Sequence, residues 1–270
     1  TLRDSVGNMG GASAGLSATT PSSVDSIPPT PNPMTWSLEP TAGTDLLAVY
    51  EGFDYTAGGV IGGNGGIGFA SDWATTKNSE TAGDYLVDSA GLTFTDAFSN
   101  VLPVSGNSAL RTTANGRSEV NRILSSATRS TLFADGSTMW FSVLHVRTTA
   151  NEHSGFVIGS GTFDVFTGWE LKEYTAGDEG FGFGSSNGQW VAAVGFDDVS
   201  GLTQVESSVD ALTPRLLVGK IVWNADGTDD VLSLYNVTDL NSEPGTPIAT
   251  ISLDLNQANI DNVSIMANKA

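Results

Sequence analysis

The chain has 270 residues, 39% hydrophobic and 9% aromatic but only 15% charged, with 32 glycines, no cysteine and a net charge of −19. That charge argues against nucleic acid and anionic membrane surfaces as partners, since phosphate would be repelled rather than neutralised. The lack of cysteine excludes disulfides, thiolate nucleophiles and zinc–thiolate sites, and no run of eighteen apolar residues is present to span a membrane.

Low charge with abundant glycine favours many turns and few exposed helices. The acidity suits high solubility, a saline medium or divalent cations. The sequence opens on Thr1 with no charged–apolar–small leader pattern, so removal of a leader or a longer parent product is expected.

Residues 1–45 form a segment unlike the rest. Six of the ten prolines lie between Pro21 and Pro40, and Ser, Thr, Gly and Ala fill most of the remainder. So little apolar surface cannot offset the entropy of ordering, which predicts an extended, polyproline-like arm. A neighbouring molecule is its more economical host, which points toward an assembly.

Residues 46–270 are expected to form one β-sandwich, built from short apolar or alternating runs between Gly, Asn and Asp. Leu46–Tyr50 predicts a first strand, followed by a glycine-rich loop from Gly58 to Gly68. Tyr85–Val87 and Leu92–Phe94 are short candidates, and 118–126 is the one passable helix. Thr138–Arg147 is the strongest strand, apolar on both faces as a central strand would be. Runs at 155–159, 168–172, 180–183 and 189–194 continue a meander. Arg215–Trp223 and Val231–Tyr235 make the clearest hairpin, with Asp226-Gly227 supplying the positive φ of a reversal. Ala249–Leu253 and Asn262–Met266 close the chain. Strands at this spacing predict an all-β, two-sheet antiparallel sandwich.

Four stretches carry a family resemblance. Tyr50-Glu51-Gly52-Phe53-Asp54-Tyr55, Gly68-Phe69-Ala70-Ser71-Asp72-Trp73, Asp135–Ser142 and Leu216–Gly227 together resemble the concanavalin A-like (laminin G-like) jelly rolls of certain bacterial secreted proteins. The resemblance covers roughly residues 46–266 and implies a jelly roll that is secreted or held at the cell surface. It implies nothing specific about activity. Such proteins usually add a final strand beside the first, whereas this chain stops at Ala270 after what resembles the penultimate one. An unpaired edge and an apolar groove beside Leu46–Tyr50 are therefore expected.

Several motifs invite chemistry. Gly184–Gly188 fits G-x-S-x-G, but a strand follows where a nucleophile elbow needs a helix. Gly63–Gly68 fits G-x-G-x-x-G, again without a helix to hold a pyrophosphate. Glu170 and Glu173 are a poor glycosidase pair, because odd spacing puts them on opposite strand faces. His145 and His153 are too few for a catalytic zinc unless carboxylates complete the set; His145 is expected to pack or hydrogen-bond within its strand and His153 to sit in an exposed turn. Asn224, Asp226, Asp229 and Asp230 crowd one loop and form a candidate calcium site, although Asn and Asp are also ordinary turn residues. Arg111, Arg117, Arg122 and Arg129, four of seven arginines, are candidates to meet a neighbour's carboxylates or to pair within the chain. Most tryptophans are expected in the core, with one or two left for sugar stacking.

Two function classes follow. One is a non-catalytic structural subunit of an extracellular filament or layer, joined to other copies of itself through the arm, with Leu2, Val6, Met34, Trp36 and Leu38 as contacts. The other is a lectin-like module that binds glycans.

Overall fold

Period-two alternation builds the strands, most cleanly at Ala249–Leu253, whose residues alternate between buried and exposed. The computed structural model describes residues 47–75, 85–104, 106–111, 116–147, 152–160, 166–167, 170–171, 178–185, 190–197 and 201–269. In chain order its elements are β1 (Ala74–Thr75), β2 (Tyr85–Asp88), β3 (Ser108–Arg111), β4 (Gly116–Ile123), α1 (Ser126–Leu132), β5 (Thr138–His145), β6 (Glu152–Gly159), β7 (Phe166–Thr167) and β8 (Glu170–Leu171). There follow β9 (Gly180–Ser185), β10 (Trp190–Asp197), β11 (Gly201–Asp210), β12 (Arg215–Val222), β13 (Asp230–Asn236), β14 (Ala249–Leu253) and β15 (Asn262–Lys269).

Two antiparallel sheets face each other. One runs β1-β4-β15-β6-β9-β10-β11 and the other β14-β13-β12-β5, while β2–β3 and β7–β8 are separate hairpins. The core between them takes Ile158, Phe181 and Val263 from the larger sheet and Leu217, Ile221, Leu232 and Ile251 from the smaller. Trp223 is fully buried against Phe133 and Phe181. The fold is the all-β sandwich that the alternation predicts.

Close sheet packing constrains Gly182 on β9, where an added methyl would overlap the Phe156 carbonyl oxygen of β6. Backbone on that side cannot yield as a flexible side chain would. Gly182→Ala is expected to cost about 3 kcal/mol, the upper end of the overpacking range, measured as a lowered urea midpoint.

On the outer face of the smaller sheet, Phe94 and Leu102 cover Leu216 and Val218. Asp96 pins that covering segment by accepting bonds from the N–H groups of Phe98, Asn100 and Leu240, each at 2.8 Å. Burial works to raise its carboxyl, but these donors win and hold it down at about 2.

Several expectations need correction. Leu47–Val49 is irregular, and Tyr50 makes a single bridge with Ile67 rather than starting a strand. Most of 118–126 is strand, not helix. Val120 and Arg122 pair with Ile265 and Val263 on the core side, and the helix waits for Ser125, whose Oγ caps it by accepting from Thr128 N at 3.1 Å. Leu92–Phe94 is not a strand, and β3 and β11 are strands that the apolar pattern misses. Strand β5 is not central: among the described residues it pairs with β12 alone and ends its sheet. Its second apolar face comes from the Phe94–Leu102 cover, not from a second neighbouring strand. Strand β15 runs between β4 and β6.

Candidate docking groove

An eight-residue strand at the end of a sheet turns alternate N–H and C=O groups away from its one neighbour. Among the described residues β5 is such a strand, paired with β12 alone, and it carries neither Pro nor Lys. Beside it the sandwich is open. A cavity of about 450 Å³ runs from the inner residues Phe141, Val143 and His145 of β5 to Phe156, Phe183 and Ile265 of the facing sheet. Its far wall is the irregular stretch Leu47–Phe53, and the exposed side chains of Val104 (46%) and Leu110 (36%) stand on its rim. The position beside Leu47–Tyr50 matches the expected groove.

That far wall has almost no ladder, so a side-chain knot holds it. Glu51 Oε2 receives Arg122 Nη1 at 2.5 Å, the Tyr55 hydroxyl at 2.5 Å and Trp73 Nε1 at 2.9 Å, while Oε1 accepts Phe53 N at 2.6 Å. Both charged side chains are buried, at 3% and 10% exposure. Arg122 also donates to Ser71 O at 2.8 Å and lies 4.0 Å from the centre of the Phe69 ring. Burial first, and then the Glu51 carboxylate, push the Tyr55 phenol well above its usual value.

At one end of the groove His145 Nε2 lies 2.8 Å from Ser154 Oγ, which also contacts Ser185 Oγ at 3.3 Å. A serine–histidine contact can mark a nucleophile and its base. Here the histidine has no orienting partner at Nδ1 among the described residues. Burial, with the nearby Arg147 charge second, pulls its pKa down to about 4, a weak base at neutral pH. The bond crosses between the sheets rather than lying within the strand, as sequence reasoning expects. His153 is buried at 3% exposure on β6 instead of sitting in an exposed turn.

The candidate calcium loop is organised differently from a coordination site. Asp230 is fully buried and accepts from Asn224 N at 2.6 Å, Leu255 N at 3.0 Å and Gln257 Nε2 at 2.8 Å. Burial raises its carboxyl pKa against these donors. Asn224 turns its amide onto Asp229 O at 2.6 Å, while Asp226 and Asp229 are exposed. No three acidic or histidine side chains gather closely enough to hold a metal among the described residues. Donors therefore occupy the Asp230 oxygens that a cation would need. Millimolar calcium or chelator is expected to leave the melting temperature unchanged; a calcium-dependent rise would restore the metal reading.

Three of the four arginines bond within the chain. Arg111 Nη1 donates to Ala267 O at 2.6 Å, Arg122 is spent on Glu51, and Arg129 Nη2 reaches Ala258 O at 3.4 Å. Such intrachain bonds favour the pairing alternative for these three over contact with a neighbour. The side chain of Arg117, the arm residues Leu2, Val6, Met34, Trp36 and Leu38, and Glu173 lie outside the described residues, as does the 186–188 part of the G-x-S-x-G match. Gly63 and Gly65 of the other glycine motif pack on the Tyr55 ring. Trp73 and Trp223 are core, Trp140 stacks on Tyr235, and Trp190 is 37% exposed.

No family model and no curated protein matches this chain. Solved structures overlap it weakly. An endo-1,3-beta-glucanase from Streptomyces sioyaensis is 11% identical over 81% of this chain and 83% of its own, with a TM-score of 0.39. Peanut lectin is 10% identical over 74% and 90%, with a TM-score of 0.32. Scytalido-glutamic peptidase is 11% identical, at a TM-score of 0.30, over 58% of this chain and 66% of the peptidase, so under two thirds of that protein is spanned. The glucanase and the lectin are concanavalin A-like jelly rolls. Overlaps this weak carry no argument about activity, and the fold class stands on the chain's own two sheets.

Proposed function

We propose that the chain is a non-catalytic structural subunit of an extracellular or cell-surface assembly, in which the arm of one copy occupies the groove of the next. The observation that carries this reading is a cavity of about 450 Å³ beside β5, the strand that ends its sheet among the described residues. Native sheets blunt or cover such edges, because an open one recruits another strand. Strand addition draws affinity from main-chain hydrogen bonds and selectivity from alternate side chains. Donation from arm to groove is head-to-tail, so it propagates as a filament or layer unless rotation closes a ring.

Electron microscopy of the full chain over a concentration series tests it. Polymers or rings are expected, and single particles at every concentration would contradict it. The second reading, a glycan-binding module, is favoured by the half-exposed Trp190. It gains if single particles bind glycans and Trp190→Ala abolishes that binding.

A further inference from the structure

The cavity beside β5 is apolar on both walls and polar at one end. Phe141 and Val143 of β5 face Phe156, Phe183 and Ile265. The three phenylalanines form a continuous run, with successive ring centres 5.4 and 6.0 Å apart. At about 450 Å³ the space falls within the range of small-ligand pockets, about 300–1,000 Å³.

Its charged lining groups give an ion little to pair with. Among the described residues they are Glu51, Asp88 and Arg111. Glu51 is committed to Arg122, and the other two are of opposite sign on the β2–β3 hairpin. His145 is neutral at pH 7, and an ion entering an apolar cavity would lose its hydration uncompensated. An uncharged molecule fits better.

The polar end has room for one more hydrogen-bonding group. His145 and Ser154 both line the cavity, and their mutual bond uses only Nε2 of the ring. Nδ1 is buried and has no partner among the described residues. A buried nitrogen left unmatched is a standing cost that a bound group can relieve. The Ser154 contact is compatible with both neutral tautomers of the ring. A hydroxyl both donates and accepts, so it suits either one, whereas a carboxylate only accepts.

We infer that the cavity binds a neutral apolar molecule with a hydroxyl at one end, in the class of medium-chain aliphatic alcohols. Its chain lies among Phe141, Val143, Phe156 and Ile265, and its hydroxyl meets the His145–Ser154 end. The inference stands apart from the assembly reading and adds a control on it, because such a molecule and an arm compete for one cavity.

Isothermal titration calorimetry of the full chain with octanol and with octanoate, at neutral pH, tests this. Octanol should bind at one site per chain, and octanoate at least about tenfold more weakly. Val143→Trp and Ile265→Trp fill the space from opposite sheets, and each should abolish octanol binding while circular dichroism reports a folded chain. His145→Phe keeps a ring but removes its nitrogens, and should weaken octanol by about tenfold. No octanol binding, or tighter binding of octanoate, would overturn the inference. So would octanol binding that survives both tryptophans or is unchanged in His145→Phe. Binding that leaves an assembled mass unaltered upholds the ligand and counts against the arm's seat in the cavity, so the two readings fail separately.

Discussion

Glu51→Ala is expected to destabilise the protein by about 3–5 kcal/mol, the range for breaking a buried ion pair from one side. The substitution leaves the Arg122 guanidinium buried at 2% exposure without its carboxylate, and it strands donors at Tyr55 and Trp73. The cost comes mostly from those orphaned donors rather than from the attraction lost. A double variant, Glu51→Leu with Arg122→Met, should therefore recover much of the loss, because both charges go together. Urea unfolding of the two variants decides it. A single variant within about 1 kcal/mol of the unaltered chain would show that Leu47–Tyr55 is held by something other than the knot.

Acid should destabilise the protein between about pH 6.5 and pH 4. His145 has a folded pKa of about 4 against an ordinary 6.5, because burial and then Arg147 disfavour its charged form. Over that window the unfolded chain binds more protons, so stability falls as pH falls. The full difference is on the order of 3 kcal/mol. His153 is shifted down by the same two causes and adds in the same direction. His145→Gln should flatten the slope of unfolding free energy against pH, at a constant cost above neutrality. An unchanged slope would mean that the ring titrates alike in the folded and unfolded chain.

What the sequence made legible was local. The β12–β13 hairpin followed from alternation and from Asp226-Gly227, where Gly227 adopts φ of 87°. Strand β11, Gly-Leu-Thr-Gln-Val-Glu-Ser-Ser-Val-Asp, was not legible, because its residues are mostly half-buried or exposed and tertiary pairing with β10 overrides the weak pattern. Arg122 resembled a surface cation until its partner, 71 positions earlier in the chain, was known. Apolarity on both faces of β5 suggested a central strand, yet strand order is non-local and cannot be read from composition. The groove could be anticipated only through a family resemblance. Its width, its far wall and the knot behind that wall required coordinates.

Light scattering of the full chain beside a version lacking residues 1–45 tests the central claim most directly. The account predicts a mass that is a multiple of 28.0 kDa for the full chain and a single folded body once the arm is gone. Equal assembly with and without residues 1–45 would contradict it.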